Sequence, residues 1–260
     1  MTEAATLERR GHIAVITLNR PEAMNAVNSA LSRAVGAALD ELATDPDLRV
    51  GVITGAGRAF CAGADLKELA AGGAIHDPDH PEYGFAGLVQ HFVDKPLIAA
   101  VNGFALGGGT EIVLACDLAV MSEDAALGLP EVKRGLFAAA GGLLRLPRQI
   151  PPKIALEMAL TGTPIDAADA AHWGLVNRVV PAAAVLDTAV ELAATIAANA
   201  PLSVRATKRI MHRVNDFGSE WDDPIWRMSF EEATPVLRSK DALEGPRAFT
   251  DKRAPRWRGE

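Results

Sequence analysis

The first thirty residues carry a run of β-branched positions, Ile13, Val15, Ile16 and Thr17 in RRGHIAVITLNRP, closed by Pro21, and this pattern predicts a small antiparallel β unit. The period then changes. Leu31, Val35, Ala38, Leu39 and Leu42 recur at helical spacing, with Asn28 or Ser29 available as the cap and Asp45-Pro46 as the stop. RVGVITG is a short apolar strand that runs into the loop GAGRAFCAGAD and then a helix, LKELAAGG, closed by Gly72 and Gly73. The same sequence of elements follows again: KPLIAAVNG as a strand, GGG as a loop, TEIVLACD as a helix, and LAVMS as the next strand. Continuously apolar strands alternating with helices predict an α/β protein with mostly parallel pairing. From about Pro151 the pattern becomes helical, over 153–160, 166–172 and 182–198, and a mixed-charge helical segment runs from Pro201 onward. The expected division is a core over 1–200 and a C-terminal helical region over 201–260, parted near Asn199-Ala200-Pro201.

Composition narrows the classes. With 260 residues, 49% of them hydrophobic, the chain can bury a sizeable core. A formal charge of −7 gives no basic face for nucleic acid. The uncharged run Pro96 to Thr110 is too short to span a bilayer, and MTEAATLERR has no apolar segment that could act as a signal, so a cytoplasmic protein without membrane partners is expected. Two cysteines, Cys61 and Cys116, make neither a disulfide framework nor a zinc pattern. His76 and His80 in HDPDH have the spacing of a helical metal site, but Pro78 between them prevents a regular helix, and no metal is expected. The clusters Arg205-Lys208-Arg209 and Lys252-Arg253-Arg256-Arg258 are expected as solvated faces.

The two glycine loops invite a nucleotide, and that fails on inspection. GAGRAF has Phe60 where a dinucleotide fingerprint needs its third glycine, no GxxxxGK[ST] occurs, and Tyr83 is followed four residues later by Gly87 rather than lysine. What the loops share is glycine-permitted backbone just ahead of a helix, where free N–H groups and the dipole favour negative charge, a ligand anion or a transient oxyanion. The alternative is two tight turns, with Asp65 and Glu68 forming a capping box. Behind Gly107-Gly108-Gly109-Thr110 stands Glu111, in the first turn of an otherwise apolar helix, where it could equally be left in solvent. Twenty positions later, Glu131 follows a proline that holds its predecessor extended. If helix, strand and return loop bring the two carboxyls into one dry pocket, desolvation and repulsion raise at least one pKa and make an acid/base pair.

These motifs together carry a family resemblance. NRPEAMNAV, FCAGADLKEL, KPLIAAVNGFALGGGTEIVLACDLAV, GLPEVKRGL, AGGLLRLP, ALTGTPIDAADAAHWGLVNRVVP and AFTDKRAPRW resemble the enoyl-CoA hydratase/isomerase (crotonase) superfamily across essentially the whole chain. The resemblance implies a spiral of repeated ββα units with a C-terminal helical trimerisation region, assembled as a homotrimer or a hexamer. It implies an acyl-CoA thioester as ligand, with coenzyme A arriving as part of the substrate and no resident cofactor. On matching positions, the oxyanion hole falls to the N–H groups of Ala64 and Gly108, and CoA contacts fall to Ala23, Met24, Ala62, Asp65, Leu66 and Gly107. Phe249 and Lys252 would contact CoA from the C-terminal region, toward a neighbouring subunit's ligand. Glu111 would activate water and Glu131 would exchange the α-proton, giving enoyl-CoA hydration. A double-bond isomerase, a carnitinyl-CoA-type dehydratase and a non-enzymatic acyl-CoA-binding protein are the alternatives. Phe137-Ala138-Ala139 departs from the proline-containing turn of many hydratases, and GLLRLP resembles carnitinyl-CoA-dehydratase-like members.

Overall fold

The computed structural model describes residues 3–260. The β-branched start of the chain forms β1 (Ala5–Arg10) and β2 (Ile13–Leu18), paired antiparallel from Ala5↔Leu18 to Arg10↔Ile13. Helix α1 (Ser29–Thr44) follows, and its cap is Asn28, whose side chain accepts from the Leu31 N–H. Its apolar stripe, Leu31, Val35, Leu39 and Leu42, is fully buried.

Beyond α1 the chain repeats a ββα unit. β3 (Val50–Gly55), β4 (Ala59–Cys61) and α2 (Leu66–Ala70) form the first. β5 (Leu97–Val101), β6 (Phe104–Leu106) and α3 (Gly108–Ala115) form the second. β7 (Leu118–Ser122), β8 (Ala126–Gly128), a 3-10 turn over Pro130–Arg134 and α4 (Gly142–Gln149) form the third. The segments expected as plain loops before the helices therefore each hold a second strand. Three residues are too few for alternation to register in sequence. Further on come α5 (Pro152–Thr161), β9 (Ile165–Asp166), α6 (Ala167–His172), β10 (Arg178–Val180) and α7 (Val185–Ala197). β9 and β10 lie in the stretch expected as helical.

The first strand of each unit enters a six-stranded sheet ordered β1-β2-β3-β5-β7-β10, parallel except for β1 on β2. The second enters a four-stranded sheet ordered β4-β6-β8-β9. Alternation decides the packing of the large sheet. Ile13, Val15, Val50, Val52, Ile98, Ala100 and Val120 face α7, which meets them through Ala189, Ala193 and Ala197. Small side chains every fourth residue let that helix lie close against the strands. Ile16, Leu18, Ile53, Val101 and Met121 face inward, against α1, the small sheet and α3.

The C-terminal helices are α8 (Pro201–Arg213), α9 (Asp223–Leu237) and α10 (Lys240–Thr250). The cluster expected as a solvated face instead ties α8 to the core. Lys208 Nζ lies 2.7 Å from Asp117 Oδ2, and Arg205 and Arg209 both reach Asp94. Arg253 pairs with Glu244 at 2.6 Å. Among the described residues no single helix is long and apolar enough to cross a membrane. The one helix pair with sufficient length, Ala182–Ala197 with Pro201–Asp216, bends by 107°.

Candidate active site

The units stack so that the loop after β4, the N-terminus of α3 and the 3-10 turn after β8 converge on one cleft of about 590 Å3, roofed by the segment 75–90 and the loop 136–140. The first loop is stapled to the stretch before α1. Ala62 N–H donates to the Met24 carbonyl, Val27 N–H to the Gly63 carbonyl, and Asp65 N–H to the Val27 carbonyl, at 3.0, 2.8 and 2.9 Å. This bridge uses the groups on either side of Ala64 and leaves the Ala64 N–H out of the ladder. Asn25, fully buried, holds the same stretch to β4 by donating to the carbonyls of Ala56, Ala59 and Phe60.

The second loop gives α3 its start. Gly107, at φ 56° and ψ −125°, occupies backbone space that side chains disfavour, and Gly108 opens the helix with an N–H that has no intrahelical acceptor. A side chain on Gly108 is also excluded sterically, since its Cβ would lie 2.4 Å from the Phe85 ring. The two loops abut: a Cβ on Gly63 would lie 3.1 Å from the Gly108 nitrogen. Two unused backbone donors are thereby brought to adjacent walls of the cleft.

Both glutamates line it as well. Glu111 is 3% exposed, not solvated. Its Oε1 accepts from the Gly142 N–H at 2.8 Å, so the N-terminus of α4 faces the carboxyl that sits at the N-terminus of α3. Burial pushes Glu111 up to about 7, against the pull of the Gly142 and Ala140 N–H groups and the nearby Arg145 guanidinium, and with the Glu131 charge adding to the rise. Glu131 is raised too, by burial, and only its own N–H opposes the rise. Its Oε2 is buried with no hydrogen-bond partner within the protein. A buried acceptor left open in a cleft is a place where a ligand group can donate.

Of the other residues singled out in the sequence, Ala62, Leu66, Gly107 and both proposed donors line the cleft. Ala23 and Met24 lie just outside it, Met24 41% exposed. Asp65 is engaged internally. It caps α2 by accepting from the Lys67 and Glu68 N–H groups, and it pairs with Arg20 at 3.0 Å. The capping box does not form, because the Asp65 N–H that Glu68 would accept goes to Val27 instead. Phe249 is 87% exposed and Lys252 adopts φ 53°; neither lines this chain's own cleft. Cys61 is fully buried beside the first loop, with its thiol pushed up to about 12 by burial, which leaves it no nucleophilic character near neutral pH. Among the described residues no three His, Cys, Asp or Glu side chains converge as metal ligands. Sequence reasoning missed Phe85, Arg134, Gly142 and Arg145. Gly142 had a signal, since AGG ahead of a helix repeats the glycine-to-helix theme of the other two loops.

Comparison with known proteins agrees across the chain. A family model described as enoyl-CoA hydratase/isomerase matches residues 8–260. The chain is 45% identical to carnitinyl-CoA dehydratase of Proteus mirabilis, over all of both chains. Among solved structures it is similar to an enoyl-CoA hydratase from Mycobacterium tuberculosis H37Rv, with 46% identity and TM-score 0.94. It is also similar to a carnitinyl-CoA dehydratase from Mycobacterium avium 104, with 55% identity and TM-score 0.81. Both alignments cover 100% of each chain.

Proposed function

The chain belongs to the enoyl-CoA hydratase/isomerase family, and we propose that it adds water reversibly across the 2,3-double bond of a 2-enoyl-CoA thioester. The observation that carries this is a buried and a half-buried carboxyl, both of raised pKa, in one cleft with two unused backbone N–H donors. In the hydration direction the thioester oxygen accepts from Ala64 and Gly108. Glu111, as carboxylate, takes a proton from water while the water oxygen bonds to the β-carbon, and the displaced electron pair moves to the thioester oxygen. Glu131, as carboxylic acid, then protonates the α-carbon, and the thioester carbonyl re-forms. Burial raises both carboxyls, Glu111 to about 7 against its N–H donors and Glu131 against its own N–H alone, so the pair can share a proton near neutral pH. Each oxyanion donor contributes on the order of 10²- to 10³-fold in rate.

The same machinery run backward dehydrates a 3-hydroxyacyl thioester, the direction named in the carnitinyl-CoA relatives. Coenzyme A arrives with the substrate, and no resident cofactor is required. A homotrimer or hexamer is part of the proposal. It is supported by apolar side chains left exposed on the C-terminal helices, among them Trp226, Phe230, Leu237 and Leu243. So is a cytoplasmic location, supported by two buried, unpaired cysteines. The test is loss of the conjugated thioester absorbance with Glu111→Gln and Glu131→Gln variants. Each is expected to lose about 10²- to 10⁴-fold in kcat. Full activity in both would refute the assignment, and solvent-proton exchange without a hydrated product would identify an isomerase.

A further inference from the structure

Phe85 lies in the roof of the cleft with its ring against Gly108, and it has no polar atom with which to take part in the reaction directly. Resting on the hydration chemistry above, we infer that Phe85 is a positioning residue for the oxyanion hole. Its ring presses on the first residue of α3, fixes where the Gly108 N–H points, and keeps water off that donor.

Three observations carry this. The first is the contact. Gly108 opens α3 with an N–H that no carbonyl of the helix accepts, so its aim depends on what packs around that peptide. Cε1 and Cζ of the Phe85 ring occupy the space that a Cβ on Gly108 would need. The first loop closes in as well, with the Gly108 nitrogen 3.1 Å from where a Cβ on Gly63 would stand, and the Cys61 carbonyl fills the corresponding space at Gly109. The start of α3 is wedged between backbone and this one ring, and a close-packed interior passes a displacement of either on to the other.

The second is how the ring is held. Phe85 lies in a turn where Gly84, Ala86 and Gly87 all have positive φ. Ala86, at φ 59°, is fully buried, and an alanine stays in that conformation only where its surroundings over-determine it. Those surroundings are α1 and α4. Gly87 approaches the Ser32 carbonyl too closely to leave room for a side chain, and the Tyr83 ring packs on Gly36 while its hydroxyl donates to Asp40 at 3.0 Å. From α4, Arg145 donates to the Val89 carbonyl, and the Val89 N–H donates in turn to the Phe85 carbonyl at 3.2 Å. The ring is therefore braced between two helices.

The third is chemical. Phe85 is 6% exposed, and a phenyl ring offers water no hydrogen-bond partner on the wall beside the donor. An N–H aimed in advance at developing charge, in a space that water does not share, acts more strongly than the same N–H in solvent.

The experiment compares the wild type with Phe85→Ala and Phe85→Leu, each checked for folding by urea unfolding. Two quantities are read: steady-state hydration of 2-butenoyl-CoA, and the carbonyl stretch of bound butyryl-CoA carrying a heavy carbon isotope at the thioester carbonyl. The second compound is saturated and cannot be hydrated, so its infrared band reports polarisation by the donors without any chemistry. Binding to the wild type is expected to move the band to lower wavenumber. In Phe85→Ala, kcat should fall at least about tenfold, short of the 10²- to 10³-fold that losing a donor outright would cost. KM should change little, and part of the carbonyl shift should be lost. Phe85→Leu keeps an apolar side chain without the flat ring and should fall between the two. A raised KM with kcat and the band unchanged would make Phe85 only a wall of the cleft and overturn the inference. If Phe85→Ala does not fold, Phe85→Leu decides, and wild-type kcat and carbonyl shift in that variant overturn it too. So does the absence of any shift in the wild type. A wild type that shifts the band without turning over 2-butenoyl-CoA sinks the hydratase proposal and leaves this inference to be decided by the infrared comparison.

Discussion

Replacing Glu111 by glutamine separates what this side chain contributes to chemistry from what it costs the fold. The carboxyl is 3% exposed, and burial raises it from the ordinary 4.5 to about 7. A displacement of that size corresponds to about 3 kcal/mol between the two protonation states. The sign follows from proton counting. Between pH 4.5 and about 7 the unfolded chain has released this proton while the folded chain still holds it, so stability falls as pH rises. Below 4.5 the penalty is absent, and above about 7 it is complete. Glutamine keeps an oxygen for the Gly142 N–H and does not titrate. Urea unfolding of both proteins across about pH 5 to 8 should show the variant gaining on the wild type by up to about 3 kcal/mol at the alkaline end. The difference between the two curves cancels the titrating groups that are not coupled to Glu111, leaving Glu111 and the part of Glu131 that responds to its charge. Activity should move the opposite way, falling by about 10²- to 10⁴-fold. A stability difference that does not change with pH would refute the claim that this carboxyl is buried near its own proton.

Gly108→Ala places a methyl 2.4 Å from the Phe85 ring, so α3 must shift its first N–H; kcat should fall by about 10²-fold or more, with partial recovery in a Gly108→Ala, Phe85→Leu double variant. Arg145 donates to the Val89 carbonyl at 2.5 Å and its charge favours the Glu111 anion. Arg145→Met should therefore move the acidic limb of the pH–rate profile further toward alkaline pH, and a profile that stays in place would count against that coupling. Arg20→Met strands Asp65 in a half-buried site, which should lower stability by about 3 kcal/mol and raise KM, measured by urea unfolding and steady-state kinetics. Both cysteines are buried with thiols pushed up to about 12, so neither should react with an aromatic disulfide reagent at about pH 8 until the protein unfolds.

Residues with strong local preferences announced their elements. Asn28 as a cap, the Leu31-Val35-Leu39-Leu42 stripe and the apolar strands at 50–55, 97–101 and 118–122 all appear where periodicity puts them. The three-residue strands β4, β6 and β8 did not announce themselves, because their stability comes from neighbours in the second sheet rather than from their own residues. Arg205, Lys208 and Arg209 likewise read as solvent-facing because charge alone carries no information about a partner more than ninety residues away. At the site, the glycine loops and both glutamates were legible as types. Arg134 was not, since nothing local distinguishes an arginine that lines a cleft from one in solvent.

By itself, then, the chain determined its repeating strand, glycine and helix grammar, and it supplied two carboxylates and two backbone turns able to present free N–H groups. Only the tertiary structure decided that Glu111 and Glu131 share one cleft, that Glu111 lies behind the N-terminus of a third helix at Gly142, and that its pKa is raised. The physical reason is that backbone conformation is set largely by neighbours in sequence, whereas burial and charge coupling depend on what the fold packs around a group.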